Sequence, residues 1–319
     1  MAGEAALRAA TPRRDNAAAP AVADVDGWRS TAVPSKIPPP IEPIVKANEA
    51  SKTWNTRNLG LRLGADFAAA ASAGVLVAPI ITAIDRGIIE NASGRNTLGA
   101  SLKSSLRTLL LRPHAFIFSK PFALIFTLYT GTYLTANTLD TTLSTTHNRP
   151  AGHTTSGAPK FLATSSANLA LCLYKDSRFT QLFGAATSPR PVPLPTYALF
   201  TIRDCLTIFT SFNIPPVLAP HIESRVLPKL GEGVRRNISA ASAAQFVAPA
   251  AVQLVSTPLH LLGLGLYNEP RASWGQRFRK VGREWGISCL ARMARIVPAF
   301  GVGGVVNMRV RKRLMAGME

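Results

Sequence analysis

The chain has 319 residues, of which 47% are hydrophobic and only 17% are charged, with 36 Lys and Arg against 17 Asp and Glu. This length allows one large domain or two small ones, and the low charged fraction with a mean hydropathy of +0.14 favours a membrane protein. A soluble basic protein that binds nucleic acid is disfavoured, because the basic residues gather between apolar segments instead of covering exposed faces.

Residues 1–54 are rich in Ala and Pro, and residues 34–43 read PSKIPPPIEP. This composition predicts a disordered tail. The tail contains no apolar core of a secretory signal, and its acidic residues argue against a mitochondrial transit peptide.

Six apolar stretches follow the tail, and each is long enough for the ~20 residues that cross a bilayer. They cover residues 62–90, 113–139, 160–183, 194–220, 241–268 and 286–308. Small residues and lone charges within them are typical of spans that pack around a polar interior. We therefore predict an all-α integral membrane domain over residues 55–319, since a soluble helical bundle would need more surface charge.

The loop after the fifth stretch is basic and amphipathic. Trp274, Phe278, Val281 and Trp285 recur at spacings of four, three and four residues, which predicts a helix with one apolar face. Such helices lie along membrane surfaces and attract anionic lipid. An anionic lipid such as cardiolipin is therefore an expected partner.

An internal repeat is visible around two prolines. Setting Pro79 against Asn168 and Pro258 gives separations of 168−79 = 89 and 258−168 = 90 residues. Each position follows an apolar run and precedes charged or polar residues. The spacing predicts three repeats, of about residues 60–150, 151–235 and 236–315.

A second set of repeated positions places a basic residue just inside an apolar stretch, at Lys120, Arg203 and Arg295. The order of span, basic loop and span, repeated three times, resembles the mitochondrial carrier family. The resemblance implies six transmembrane helices in three two-helix repeats and alternating access. It also implies that these three cations contact the substrate, a small anionic metabolite. The alternative is that they snorkel at span ends or pair with a local acid such as Asp204.

Carriers also bear Pro-x-[Asp/Glu]-x-x-[Lys/Arg] on their odd spans, where the proline kinks the helix and the charges form a gate. By resemblance, Pro79 and Pro258 are kink candidates. The gate candidates are Asp85, Arg86, Lys175, Asp176 and His260. The motif is incomplete, because Ile81 and His260 stand where an acid is expected. His260 is otherwise explained as a buried, hydrogen-bonded histidine.

No catalytic, cofactor or metal motif is present, so we predict a transporter and not an enzyme. The incomplete gates leave a second hypothesis, a carrier-fold adaptor that binds a protein partner and acts in organelle shape or fusion. The resemblance implies a mitochondrial membrane, the inner one for a transporter. Cys172, Cys205 and Cys289 each lie in an apolar stretch and are predicted to be buried thiols.

Overall fold

In the computed structural model, residues 54–155, 157–185, 190–229 and 239–318 are described, and all of their regular structure is helical. The predicted all-α class is confirmed for these residues. Three segments are long and apolar enough to cross a membrane: Leu59–Ser93, Ala240–Asn268 and Trp274–Met315. Apart from Trp54, the predicted tail lies outside the described residues.

The helices follow one another with short connections. They are α1 (Leu59–Ser93), α2 (Leu98–Leu111), α3 (Pro113–Ile117), α4 (Lys120–Thr146), α5 (Ala158–Phe183), α6 (Leu194–His221), α7 (Ala240–Ala251), α8 (Gln253–Asn268), α9 (Trp274–Ala294) and α10 (Gly304–Met315). A π-helical turn, Ile222–Val226, and a 3₁₀ turn, Leu227–Lys229, extend α6. A second π-helical segment, Val297–Gly303, lies between α9 and α10, and we call the whole of Trp274–Met315 the last segment.

Serine caps set two helix starts that the apolar stretches did not predict. The Ser119 hydroxyl accepts a hydrogen bond from the Phe122 amide, so α4 begins at Lys120 and the predicted stretch 113–139 is divided. Ser273 forms a capping box with Gln276, which begins α9 at Trp274. Because α9 continues to Ala294, the predicted surface helix and the start of the stretch 286–308 are one helix, and the boundary between them was wrong.

The two prolines selected as kinks both lie inside helices. Pro79 is within α1, and Pro258 is within α8, whereas the helical break in this region is at Val252, between α7 and α8. Pro258 has no N–H to donate to the carbonyl of Leu254. The indole N–H of Trp285 donates to that carbonyl instead, at 3.0 Å. A neighbouring helix thus satisfies the backbone group that the proline leaves free.

The long helices pack in chain order around a ring. α1 packs against α4, α4 against α5, α5 against α6, α6 against α7 and α8, and α8 against α9. The ring closes where α1 packs against α9, the π-helical segment and α10. The arrangement of three repeats remains a prediction. We call the end of the ring where α1 begins and α10 ends the termini side, and the opposite end the loop side.

Small residues on α1 allow its close contact with α4. Ala69, Ala70 and Ala73 are fully buried. A Cβ atom on Gly74 would lie 2.3 Å from the Thr130 hydroxyl, so only glycine permits this approach. Such close packing of small residues is how helices associate in membranes, where lipid provides no hydrophobic driving force between them.

Candidate functional site

A group of charged and ionisable side chains meets inside the ring, and we call it the charged cluster. Its members are Asp85 from α1, Lys175 and Asp176 from α5, Arg203 and Asp204 from α6, His260 from α8, Arg292 from α9, and Arg295 directly after α9. These residues lie at a similar depth between the two ends of the ring. His260 lies 268−260 = 8 residues from the loop-side end of α8, and Arg203 lies 203−194 = 9 residues from that end of α6. At 1.5 Å per residue, the cluster is about 12–14 Å inside the ring.

Asp85 is the anion that connects three helical segments. Its Oδ2 atom lies 2.8 Å from the Lys175 ammonium, and its Oδ1 atom lies 2.7 Å from an Arg295 guanidinium nitrogen. Asp85 and Lys175 are both 4% exposed at their side chains, and Arg295 is 21% exposed. One carboxylate therefore holds α1 to α5 and to the residue that follows α9.

All three nitrogens of the Arg203 guanidinium have polar partners. One terminal nitrogen lies 2.5 Å from Asp176 and 2.7 Å from Asp204, and the other lies 2.7 Å from Nδ1 of His260. Asp176 also pairs with Lys175. These ion pairs and hydrogen bonds connect α5 through α6 to α8. Because Lys175 also contacts Asp85, the Asp85 contacts and the Arg203 contacts form one connected network.

Arg292 differs from the other cations of the cluster. Its side chain is 6% exposed, and its Nε atom donates to the Gln253 side-chain oxygen at 2.9 Å. Gln253 is its only polar partner in the described part of the chain, and no carboxylate there lies within 4 Å of it. A small cavity, about the size of one water molecule, lies beside it. The cavity is lined by Asp85, Ile88, Ile89, Lys175, Asp176, His260, Arg292 and Arg295.

A second buried network closes the termini side, and we call it the termini-side network: Arg62, Asp66, Asn137, Thr141, Ser144, Asn307 and Arg311. Asp66 of α1 lies 2.7 Å from Arg311 of α10, and the Thr141 hydroxyl donates to Asp66 at 2.5 Å. Asn137 and Asn307 exchange two hydrogen bonds, of 2.8 and 3.0 Å. Asp66 and Asp85 are 85−66 = 19 residues apart on α1, so the two networks are separated by about 28 Å.

The structure brings together most of the residues that the sequence predicted for the site. Two of the three expected substrate contacts, Arg203 and Arg295, lie in the charged cluster, while Lys120 is exposed at the start of α4. Four gate candidates also lie there: Asp85, Lys175, Asp176 and His260. The fifth, Arg86, pairs instead with Glu90 one turn away, at 2.7 Å.

Sequence reasoning missed Arg292 and Gln253, and mentioned Asp204 only as a local partner of Arg203. Arg292 has a usable signal, because it precedes Arg295 by three residues in ARMAR and so shares its helix face. Gln253 has none that we can identify. The described residues contain no group of three His, Cys, Asp or Glu side chains placed to hold a metal.

Two of the cysteines are buried as predicted. Cys172 and Cys289 are buried, but Cys205 is exposed on the outer side of α6, so that prediction was wrong. Cys172 lies three residues before Lys175 on α5, close to the charges of Lys175 and Asp176. It is therefore a thiol beside the charged cluster.

A family model described as "Probable citrulline exporter" matches residues 69–315. The chain belongs to this family. The match includes every residue of the charged cluster and most of the termini-side network. No curated protein matches the chain.

Membership of the probable citrulline exporter family makes the chain a transporter-family membrane protein, in agreement with its apolar helices. It also favours a role other than that of an enzyme. The resemblance to mitochondrial carriers and the mitochondrial location stay predictions.

Proposed function

We propose that this protein exports an amino-acid-like solute across a membrane by alternating access, with the charged cluster as the solute site. Citrulline is the first candidate, because the family description names it. Ionisable residues inside membrane spans mark solute and ion pathways, because they are expensive to keep there. Discontinuous helices beside a central polar site are also typical of transporters, and α7–α8 and the last segment are both interrupted.

The charge balance of the cluster is the observation that carries the proposal. Its four cations, Lys175, Arg203, Arg292 and Arg295, exceed its three carboxylates, Asp85, Asp176 and Asp204, by 4 − 3 = 1. The excess lies at Arg292, whose one polar partner among the described residues is the neutral Gln253. A buried cation without a counter-charge is costly. A solute that brings a carboxylate to Arg292 removes that cost.

The chemistry of arginine fits this role. A guanidinium matches a carboxylate in plane and can bind it with two hydrogen bonds. Arg292 and Arg295 lie three residues apart and face the same cavity, so they form a pair that can hold one carboxylate. The anionic group that we expected of the substrate is then the α-carboxylate of an amino acid.

Binding of the solute is also coupled to opening of the site. The cavity is smaller than an amino acid, so entry requires some ion pairs to separate. A carboxylate that binds Arg295 competes with Asp85 for that guanidinium. Loss of the Asp85–Arg295 pair would free α1 from the last segment at the cluster, while the termini-side network holds the other end closed. Opening of the two ends in turn is alternating access.

The test is exchange of labelled citrulline in proteoliposomes containing the full chain. Arg292→Gln keeps polarity but removes the excess charge. Loss of a charge-assisted hydrogen bond is worth ~1.5–3 kcal/mol, so we expect exchange at low citrulline to fall by about 10- to 100-fold. The matched control is Arg313→Gln, because Arg313 is exposed in the last turn of α10, away from the charged cluster. Equal activity of both variants and the wild type contradicts the proposal.

We propose the mitochondrial inner membrane as the location and the three-repeat carrier arrangement as the fold, both from the resemblance. The closed ring of helices supports the arrangement. Fractionation of cells that express a tagged chain, with carbonate extraction and protease protection, tests the location. Recovery of the chain in the outer membrane, with no exchange in proteoliposomes, would favour the adaptor hypothesis.

The first half of α9 supports an interaction with anionic lipid. Trp274 and Phe278 are each 60% exposed, and Arg279 and Arg283 are exposed beside them. Aromatic rings next to cations are suited to the headgroup region of a membrane. Stabilisation of the detergent-purified protein by cardiolipin but not by a zwitterionic lipid is the expected result.

A further inference from the structure

His260 has a hydrogen-bonding state that its contacts determine. Its Nδ1 atom lies 2.7 Å from a terminal nitrogen of Arg203. A guanidinium can only donate hydrogen bonds, so Nδ1 must be the acceptor. His260 is therefore a neutral imidazole that carries its proton on Nε2.

Packing holds the ring of His260 in this orientation. The centroid of the Phe200 ring lies 5.1 Å from that of the imidazole and 5.1 Å from the central guanidinium carbon of Arg203. Phe200 reaches this place because residue 263 is glycine, where a Cβ atom would lie 2.8 Å from the Phe200 ring. The orientation is thus built into α6 and α8 and does not depend on a ligand.

The Nε2–H group of His260 has no hydrogen-bond partner among the described residues. His260 is 3% exposed, and it lines the small cavity together with Arg292 and Arg295. The Nε2 atom is not among the fully enclosed side-chain atoms that lack a partner, so this N–H group keeps some accessible surface although the residue is buried. This donor is available to whatever enters the cavity.

We propose that His260 selects solutes whose side chain ends in a neutral oxygen acceptor, such as a ureido or carboxamide group. The inference rests on the proposed function, in which Arg292 and Arg295 hold the α-carboxylate. Those cations belong to the last helical segment, whereas His260 projects from α8 and carries no charge. A neutral donor suits a neutral carbonyl oxygen. The net positive cluster would repel a cationic side chain, such as that of ornithine or arginine.

Two substitutions test the roles of the two imidazole nitrogens of His260 separately. His260→Asn keeps an acceptor near the Nδ1 position for Arg203 and removes the donor at the Nε2 position. His260→Gln places an amide N–H near the Nε2 position. The solutes are citrulline and norvaline, which share the amino-acid group and three side-chain carbons, while norvaline lacks the ureido group. The half-saturating concentration of each solute is measured in proteoliposome exchange.

We expect His260→Asn to raise the half-saturating concentration of citrulline by about 2- to 10-fold, the range for one neutral hydrogen bond. That of norvaline should be unchanged, and His260→Gln should stay near the wild type for citrulline. An equal increase for both solutes, or no increase for either, overturns the assignment. Failure of the wild type to exchange citrulline at all would instead contradict the proposed function.

Competition with the wild-type protein tests the same point without any variant. Unlabelled glutamine should inhibit citrulline exchange more strongly than norvaline does, and ornithine should inhibit least. Norvaline that competes as well as glutamine would show that the side-chain oxygen makes no contact, and His260 would then have no role in selection.

Discussion

Replacement of Asp66 by Asn should open the termini side of the ring. Asp66 is fully buried, and its carboxylate contacts Arg311 at 2.7 Å and the Thr141 hydroxyl at 2.5 Å. Asn has nearly the same shape, so the packing of α1 is retained while the negative charge is lost. Arg311 then stays buried with Arg62 nearby and no carboxylate partner in the described part of the network.

The size of the effect follows from the burial of the pair. Removing one partner of a buried ion pair costs about 3–5 kcal/mol, mainly because the other charge is left uncompensated. Opening of the termini side would let water reach Arg311 and recover much of this energy. A shift of about 3 kcal/mol changes the ratio of open to closed molecules by more than 100-fold.

Cys172 is a native reporter for this opening. It is buried on α5, three residues nearer the termini side than Lys175. In a chain where Cys205 and Cys289 are replaced by Ala, a charged, membrane-impermeant maleimide should label Cys172 slowly. We expect Asp66→Asn to increase the labelling rate by 10- to 100-fold. The double variant Asp66→Asn/Arg311→Gln should restore slow labelling, because the network returns to its wild-type net charge with Arg62 as its one cation.

Lys280→Gln provides the control, because it removes an exposed ion pair with Glu269 on the loop side and should leave labelling unchanged. Labelling of Asp66→Asn at the wild-type rate, in a protein with normal thermal stability, would refute the reasoning. The ion pair would then be a static contact and not part of a gate.

Two further substitutions test packing and the remaining predicted contact. Gly303→Ala should lower the melting temperature by several degrees, because a Cβ atom would lie 2.4 Å from the Tyr133 hydroxyl and overpacking costs ~1–3 kcal/mol. Gly304→Ala, where no atom lies within 4 Å of the added Cβ, should be tolerated. Lys120→Gln should change citrulline exchange by less than about twofold, because Lys120 is exposed and the loss of an exposed charge has little effect. A large loss of exchange would show that Lys120 contacts the solute.

Hydropathy predicted the helices well where they are bounded by turn residues. The stretches 160–183, 194–220 and 241–268 differ from the observed ends by at most two residues. It failed at the break at Val252 and at the start of α9. At the break, Val252 has near-helical backbone angles, and neither Gly nor Pro stands at that position to mark it in the sequence. The start of α9 depends on a serine cap, which a search for apolar runs does not detect.

Sequence position identified most members of the charged cluster but not their partners. Lys175 and Asp176 were expected to take part in gates between the odd spans. The Lys175–Asp85 contact does join α1 to α5, but Asp176 is held by Arg203 of α6. His260 stands where a gate acid was expected, and it accepts from that same arginine. Which charges meet depends on the rotation of each helix in the ring, and one sequence does not contain that information.

The two arginines of the ARMAR stretch differ in their partners, and this difference predicts different roles in solute binding and in gating. Sequence reasoning selected Arg295 because it lies just inside an apolar stretch, and the structure pairs Arg295 with Asp85 at 2.7 Å. Arg292, one helical turn earlier, is the more buried of the two, and in the part of the chain that the structure describes its one polar partner is Gln253. A paired cation must separate from its carboxylate before it binds a solute. Substitution of such a cation therefore alters both the affinity for the solute and the opening of the ring. We therefore expect Arg295→Gln to change both citrulline exchange and the accessibility of Cys172. Arg292→Gln should weaken exchange while Cys172 labelling stays at the wild-type rate, and faster labelling in that variant would show that the unpaired arginine also holds the ring closed.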